Sequence, residues 1–148
     1  MTRATVIGCV TFAIAAGLVA QDTPPQVPEV KRAVAPRYPQ LPGNPPLLGR
    51  VIIEASVDAA GQVTGTKVLR APAMLHQESE RAARRWKFAP STTTGERTVR
   101  LTFVFDLIAD PVNDDELWPV FVPPYTVEVR AKCMRHCDKL EELRKEGL

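Results

Sequence analysis

The most reactive side chains of this 148-residue chain lie near its C-terminus, in the segment CMRHCDKLEELRKEGL (133–148). Cys133, His136 and Cys137 could form a disulfide, contribute metal ligands or simply pack in a core. In a helix, the Cα atoms of the two cysteines would lie about 6 Å apart, near the upper range for a bridge. The spacing C-x2-H-C matches no closed four-ligand zinc site, so we predict no metal. Cys133 and Cys137 are therefore a disulfide candidate, with reduced, packed cysteines as the alternative.

No catalytic constellation is found in the rest of the sequence. His76 has no serine or cysteine nucleophile motif beside it. The sequence also contains no Gly-x-Ser-x-Gly pattern and no phosphate-binding loop. The acidic run Asp114-Asp115-Glu116 indicates a solvated loop rather than a cation site. We predict that the protein is not an enzyme and uses no cofactor.

The overall composition is that of one globular domain. The chain is 45% hydrophobic and 24% charged, and its 19 basic and 17 acidic residues leave a net charge of +2. This balance gives no reason to expect a nucleic-acid partner. Most of the 14 prolines cluster at 24–46 and 111–124. Because proline favours extended or turning backbone, residues 21–47 are predicted to form a Pro-rich linker.

The N-terminus, residues 1–20, has the composition of an export signal. Arg3 supplies a positive charge, and residues 4–20 are uncharged and largely apolar. A cleaved signal peptide is favoured. An uncleaved N-terminal anchor is the alternative, because the apolar segment 4–20 lies at the lower limit of the about 20 residues that a membrane span usually needs. Export suits the two cysteines of the C-terminal segment, since an oxidising compartment permits one disulfide.

The middle of the chain predicts two strands, a helix and a third strand. Residues 49–58 (GRVIIEASVD) alternate between apolar and polar, and residues 63–70 (VTGTKVLR) return after a turn at Gly61. Residues 73–87 have an apolar face at helical spacing. A second alternating strand runs from Val99 to Phe105. The expected fold class is α+β, with a small antiparallel sheet and one packed helix.

Two aromatic residues follow one another closely where the predicted helix stops, in the stretch RRWKFAP (84–90). Trp86 is expected to close the core from the helix and Phe88 from the loop that leaves it. Pro90 prevents the helix from continuing. Core packing is favoured over ligand binding for this pair.

Taken together, these motifs resemble the C-terminal domain of TonB-type proteins, the periplasmic ends of energy transducers. The resemblance covers about residues 36–107. Its motifs are Pro36-Arg37-Tyr38-Pro39, Gly49-Arg50-Val51, Asp58 with Gly61-Gln62-Val63, Val68, Ala82-Ala83, Trp86-Lys87-Phe88-x-Pro90, Gly95 and the closing VRLTFVFDL with Phe103 and Phe105.

The resemblance implies a ββαβ domain in the periplasm that binds a protein partner and catalyses nothing. In that family the domain grips an extended segment of an outer-membrane receptor by strand addition at an open sheet edge. Tyr38, Pro39, Arg100 and Thr102 are the expected partner contacts. An open edge also permits a homodimer.

An exported interaction module is favoured over a membrane-anchored energy-transducer subunit. In the family, the resemblance implies that the N-terminal helix couples to an inner-membrane motor complex through an ionisable residue. The apolar segment 4–20 contains no such residue. The linker 21–47 would reach at most about 90 Å when fully extended. A periplasmic or secreted protein is therefore expected, with an inner-membrane anchored protein as the alternative.

The resemblance ends before an extension of about forty residues. We divide the chain into the export segment, the linker, a domain at 48–108 and an extension at 109–148. The extension begins with an acidic linker, continues with a strand at 125–131 and ends in a helix. If its strand pairs at the open sheet edge, it would block or regulate the partner site.

Overall fold

A computed structural model of the chain describes residues 27–40, 47–92, 95–109, 111–134 and 137–147. The predicted export segment 1–20 lies outside these residues. The strands are β1 Val30–Arg32, β2 Gly49–Val57, β3 Val63–Arg70, β4 Lys87–Phe88, β5 Arg97–Ile108, β6 Val120–Val122 and β7 Thr126–Lys132, and the α-helices are α1 Ala73–Ala83 and α2 Leu140–Gly147. Short 3₁₀ turns span Asp114–Leu117 and Cys137–Lys139. Neither α-helix is long and apolar enough to cross a membrane.

Five strands form the main sheet, in the order β3-β2-β5-β7-β6. The pairs β2–β3, β2–β5 and β6–β7 are antiparallel, whereas β5 and β7 run parallel. The order β2-β3-α1-β5 confirms the predicted ββαβ unit and the α+β class. The sheet is mixed rather than wholly antiparallel, because the extension adds a parallel strand.

One face of the sheet forms the core. Alternate residues of β2, from Val51 to Val57, and of β5, from Val99 to Leu107, are buried. Helix α1 covers part of this face with Leu75, Ala82 and Ala83. The hydroxyl of buried Ser79 donates to the carbonyl oxygen of Leu75 at 2.7 Å, so no polar group is left unpaired there.

The helix ends earlier than the sequence predicted. Helix α1 stops at Ala83, whereas the apolar periodicity indicated a helix up to Lys87. Trp86 already lies outside the helix, and the residue is only 1% exposed. Phe88 lies in β4, where its backbone N–H donates to the carbonyl of Gly61 at 2.8 Å. Pairing with distant segments therefore overrides the local helical pattern at these positions.

Part of the predicted linker belongs to the folded domain. Strand β1 pairs antiparallel with β4, and the N–H of Ala89 donates to the carbonyl of Glu29 at 2.8 Å. Val30 and Val34 pack against the core. The described part of the predicted Pro-rich linker 21–47, residues 27–40, therefore packs against the domain, through the β1–β4 pairing and the apolar contacts of Val30 and Val34.

A carboxylate ties helix α1 to the edge strand β3. Glu80 accepts hydrogen bonds from Arg84 at 2.7 Å and from the hydroxyl of Thr66, on β3, at 2.9 Å. Its side chain is 28% exposed. The hydrogen bond from Arg84, followed by that from Thr66, holds the pKa of Glu80 below its usual 4.5.

We expect this contribution to stability to depend on pH. A lowered carboxyl pKa stabilises the fold above pH 4.5, and this stabilisation is lost as the pH falls through the folded-state value. Partial exposure limits the effect to about 0.5–1 kcal/mol. Urea unfolding of the wild type and of Glu80→Gln at pH 7 and pH 3 should show a difference at pH 7 that is smaller at pH 3. An equal difference at both values would contradict the assignment.

Candidate partner-binding edge of the sheet

Strand β5 is the centre of the candidate site, because its two sides have different partners. One side pairs with β2 from Arg97 to Phe105. The other side pairs with β7 only from Thr102 to Ile108. The backbone N–H of Thr102 opens this second ladder, donating to the carbonyl of Tyr125 at 2.9 Å. The edge of β5 that the family resemblance assigns to a partner is therefore occupied, over seven residues, by the chain's own extension.

The aromatic pair at the end of α1 lies beside this edge. The ring of Trp86 contacts Phe103 of β5 and Phe121 of β6, with centroids 6.2 and 6.1 Å apart. Its indole N–H donates to the carbonyl of Val34 at 2.8 Å. Phe88 meets Tyr125 edge-to-face at 5.9 Å. The pair thus joins the helix, the N-terminal segment and the extension, a wider packing role than closing the core alone.

The four predicted partner contacts do not come together. Tyr38 and Pro39 belong to the N-terminal segment, and the ring of Tyr38 lies 6.2 Å from Phe105 on the core face. Arg100 and Thr102 alternate with the buried residues of β5, so they lie on the opposite face. The structure therefore separates the first pair from the second by the thickness of the sheet.

Tyr38 is held in place by its own hydrogen bonds. Its hydroxyl donates to the carbonyl of Leu47 at 2.8 Å and accepts from the Leu47 N–H at 3.0 Å. Burial raises the pKa of the phenol above 10.0. Pro39, next to it, is half-buried. These contacts give Tyr38 a packing role over the core face of the sheet.

The remaining signature residues lie in β2, in the β2–β3 turn and directly after β4. Gly49 and Val51 of β2 are opposite Phe105 and Phe103 in the β2–β5 register, and all four are buried. Gly61 lies in the β2–β3 turn with φ +83°. Pro90 follows β4 and is exposed.

A disulfide closes the far end of β7. Cys133 is bonded to Cys137 with their Cα atoms 5.8 Å apart. Cys133 directly follows β7 rather than lying in a helix, and it forms a second small core with Leu107 and Leu140. The two cysteines therefore join a strand end to the short turn that precedes α2. His136, the third residue of the metal alternative, lies outside the described residues.

A bidentate ion pair anchors α2 beside the same strand end. Arg144 donates to both carboxylate oxygens of Asp106, at 3.0 and 3.1 Å, and to the carbonyl of Leu107 at 2.9 Å. Sequence reasoning missed this contact. No local pattern relates two residues that are 38 positions apart.

Three arginines, Arg81, Arg84 and Arg85, lie in the last turn of α1 or directly after it. Arg81 pairs with Glu78 and Arg84 with Glu80, each at 2.7 Å. Arg85 lines a groove of about 180 Å³ together with Arg37 of the N-terminal segment. These ion pairs within the protein reduce the electrostatic attraction that Arg81 and Arg84 could exert on an acidic partner.

Comparison with known proteins agrees with this geometry. A family model described as the Gram-negative bacterial TonB protein C-terminal matches residues 34–107. The match begins at Val34, which accepts the indole hydrogen bond of Trp86, and ends within the β5–β7 ladder. No curated protein matches the chain. Half of the sequence, including the whole ββαβ unit, matches the family model, and the chain therefore belongs to the TonB C-terminal family.

Proposed function

We propose that this protein is an exported interaction module of the Gram-negative cell envelope. In this proposal it binds an extended segment of a partner protein at the edge of β5, and the partner is an outer-membrane receptor or another envelope protein. The family is one of periplasmic protein-interaction domains in Gram-negative bacteria.

The observation that carries the proposal is the parallel pairing of β5 with β7. This edge accepts an added strand over seven residues, with the main chain exchanging hydrogen bonds from Thr102 onward. Main-chain pairing gives affinity for any extended segment, whereas side-chain pockets select among sequences. The same edge can therefore hold a segment from another protein whenever β7 is not there.

The surroundings of the edge favour a particular segment. On the core face, Trp86, Phe88 and Phe103 form an apolar, aromatic floor. On the other face, Thr102 and Asp106 are partly exposed to solvent. An added strand would place alternate side chains on these two faces, so a segment with alternating apolar and polar residues fits.

A peptide-binding experiment tests the proposal. Fluorescein-labelled synthetic peptides covering the N-terminal periplasmic segments of outer-membrane receptors from one Gram-negative bacterium would be titrated with the full chain and followed by fluorescence anisotropy. We expect at least one peptide to bind saturably.

The matched control is the same peptide with alternate backbone nitrogens methylated. This change removes main-chain donors and keeps every side chain. It should weaken binding at least about tenfold if the peptide is held as an added strand. Equal binding of the methylated peptide would overturn strand addition, and a complete lack of binding across the panel would overturn the receptor partner.

A further inference from the structure

The strand that occupies the β5 edge is matched to it in side chains as well as backbone. Val127 and Val129 of β7 are buried in the main core. Tyr125, just before the strand, rests on Phe88 and donates its hydroxyl proton to the carbonyl of Pro28 at 2.8 Å. On the other face, Arg130 is the register neighbour of Asp106, but its side chain pairs with Glu128 of its own strand at 2.7 Å, and Asp106 is held by Arg144. The side chains of β7 therefore indicate which side chains a partner segment needs at this edge.

The two ends of β7 are secured very differently. Its C-terminal end continues into the Cys133–Cys137 disulfide and the helix held by Arg144. Its N-terminal end is held only by the noncovalent contacts of Tyr125 with Phe88 and Pro28, and it is preceded by β6, a strand of three residues that are each about 40% exposed. Short, exposed elements open at the lowest free energy. Opening of β7 should therefore begin at Thr126 and proceed towards the anchored end.

The first part of β5 offers a place to start. In the parts of the chain that the structure describes, Arg97–Leu101 pairs with β2, and no strand pairs with it on the side that β7 takes from Thr102 onward. An incoming segment can pair here before any hydrogen bond to β7 is broken. Extension of that pairing past Thr102 would displace β7 from its less secured end.

We propose that β7 is an internal competitor for the partner segment, and that binding proceeds by strand exchange from Arg97–Leu101. This inference rests on the proposed function and adds its regulation and the chemistry of the partner. The partner segment runs parallel to β5 and places apolar side chains where Val127 and Val129 lie. The disulfide and Arg144 keep the displaced strand tethered, so that it returns when the partner leaves.

With competition of this kind, the apparent association constant is the intrinsic one multiplied by the fraction of molecules in which the edge is open. Loosening the anchor raises that fraction, and locking the strand abolishes it. Arg144→Ala removes the anchor of α2 without replacing any residue of β5 or β7. Thr102→Cys with Thr126→Cys locks the strand, because these residues are register neighbours on the same face and adjacent strands lie about 4.8 Å apart.

The test uses the full chain and a fluorescein-labelled peptide with the sequence of residues 120–132, the chain's own β6–β7 hairpin. Arg144→Ala should bind this peptide about fivefold more tightly than the wild type. The oxidised Thr102→Cys/Thr126→Cys protein should not bind it, and peptide mapping would verify the new bridge. A control peptide with Asp in place of Val127 and Val129 should not bind any variant. Equal binding of the first peptide by all three proteins would overturn the inference.

Hydrogen exchange on the unmodified chain provides a measurement that does not depend on the folding of any variant. Amides of Thr126–Val129 should exchange at least about tenfold faster than those of Leu101 and Phe103, which lie in the central strand β5 and pair with β2. Equal protection in the two segments would mean that β7 opens only when the whole domain unfolds, and the inference would fail.

The two proposals fail in different ways. If the hairpin peptide exchanges but no receptor peptide binds, the edge is exchangeable and the receptor partner is wrong. If receptor peptides bind the locked and unlocked proteins alike, the module binds a partner at another surface. In that second case the proposed function survives without the β5 edge, and the internal competitor is excluded.

Discussion

Replacing Trp86 by alanine should lower the free energy of unfolding by about 3–5 kcal/mol. The indole is 1% exposed and contacts Phe88, Phe103 and Phe121. Truncation would leave a cavity where the helix, the sheet and the extension meet, and partial relaxation cannot fill it. The carbonyl of Val34 would also lose its indole donor.

Urea unfolding followed by circular dichroism measures this loss, and the chain contains its own control. Trp118 is 69% exposed, so Trp118→Ala should change stability by no more than about 0.5 kcal/mol. Trp86→Phe separates the two contributions, because it keeps an aromatic ring and removes only the indole N–H and part of the volume. A loss below 1 kcal/mol for Trp86→Ala would show that the surrounding segments do not depend on this side chain.

Replacing Gly61 by alanine should cost about 3 kcal/mol or more, although only one methyl group is added. Gly61 has φ +83°, where an L-residue with a side chain is strained. A Cβ there would overlap the carbonyl oxygen of Phe88 and lie 2.8 Å from its carbonyl carbon. The neighbouring atoms are backbone, and Phe88 is itself hydrogen-bonded to the Gly61 carbonyl, so they cannot move aside cheaply.

Substitution of Gly95 by alanine separates the cost of backbone strain from the cost of steric overlap. It has φ +133°, but a Cβ added there would meet nothing within 4 Å. Gly95→Ala should therefore cost only the conformational strain, about 1–2 kcal/mol. Chemical denaturation of both variants gives the comparison. Losses of equal size would mean that the close approach of Phe88 to the β2–β3 turn contributes nothing.

The substitutions of Trp86 and Gly61 act on the same junction, where the segment after α1 meets the β2–β3 turn and the extension. This junction links stability to the proposed binding edge. Gly61 brings the backbone of Phe88 close to the β2–β3 turn, and Phe88 and Trp86 in turn contact Tyr125 and Phe121 of the extension. A milder change at this junction, such as Trp86→Phe, should loosen β7 as well as the core. Its effect on hydrogen exchange of Thr126–Val129 would report how strongly the two are coupled.

Local signals in the sequence were sufficient to predict the central elements. The alternation in 49–58 and 63–70, with glycine between them, predicted the β2–β3 hairpin, because side-chain period and turn chemistry depend on neighbouring residues. Leu75, Ser79 and Ala82 form the buried helix face that was expected. Trp86 and Phe88 are core residues, also as predicted.

Other predictions failed because distant contacts decided them. The helix stops at Ala83, since Lys87 and Phe88 pair with β1, more than fifty residues earlier in the chain. Tyr38 and Arg100 were expected in one site, but the position of the N-terminal segment on the core face separates them. No sequence period encodes which face a packed loop will cover.

The sequence by itself determined the ββαβ unit, the family and a cysteine pair at bonding distance. The tertiary structure decided where the extension goes. The strand predicted at 125–131 could have covered either edge or none, because strand pairing is a backbone interaction open to any extended segment. Parallel pairing with β5 was selected by contacts far apart in sequence: Tyr125 with Phe88, Val127 and Val129 with the main core, and Arg144 with Asp106. Each of these contacts joins residues that are distant in the chain, so local patterns in the sequence do not encode them.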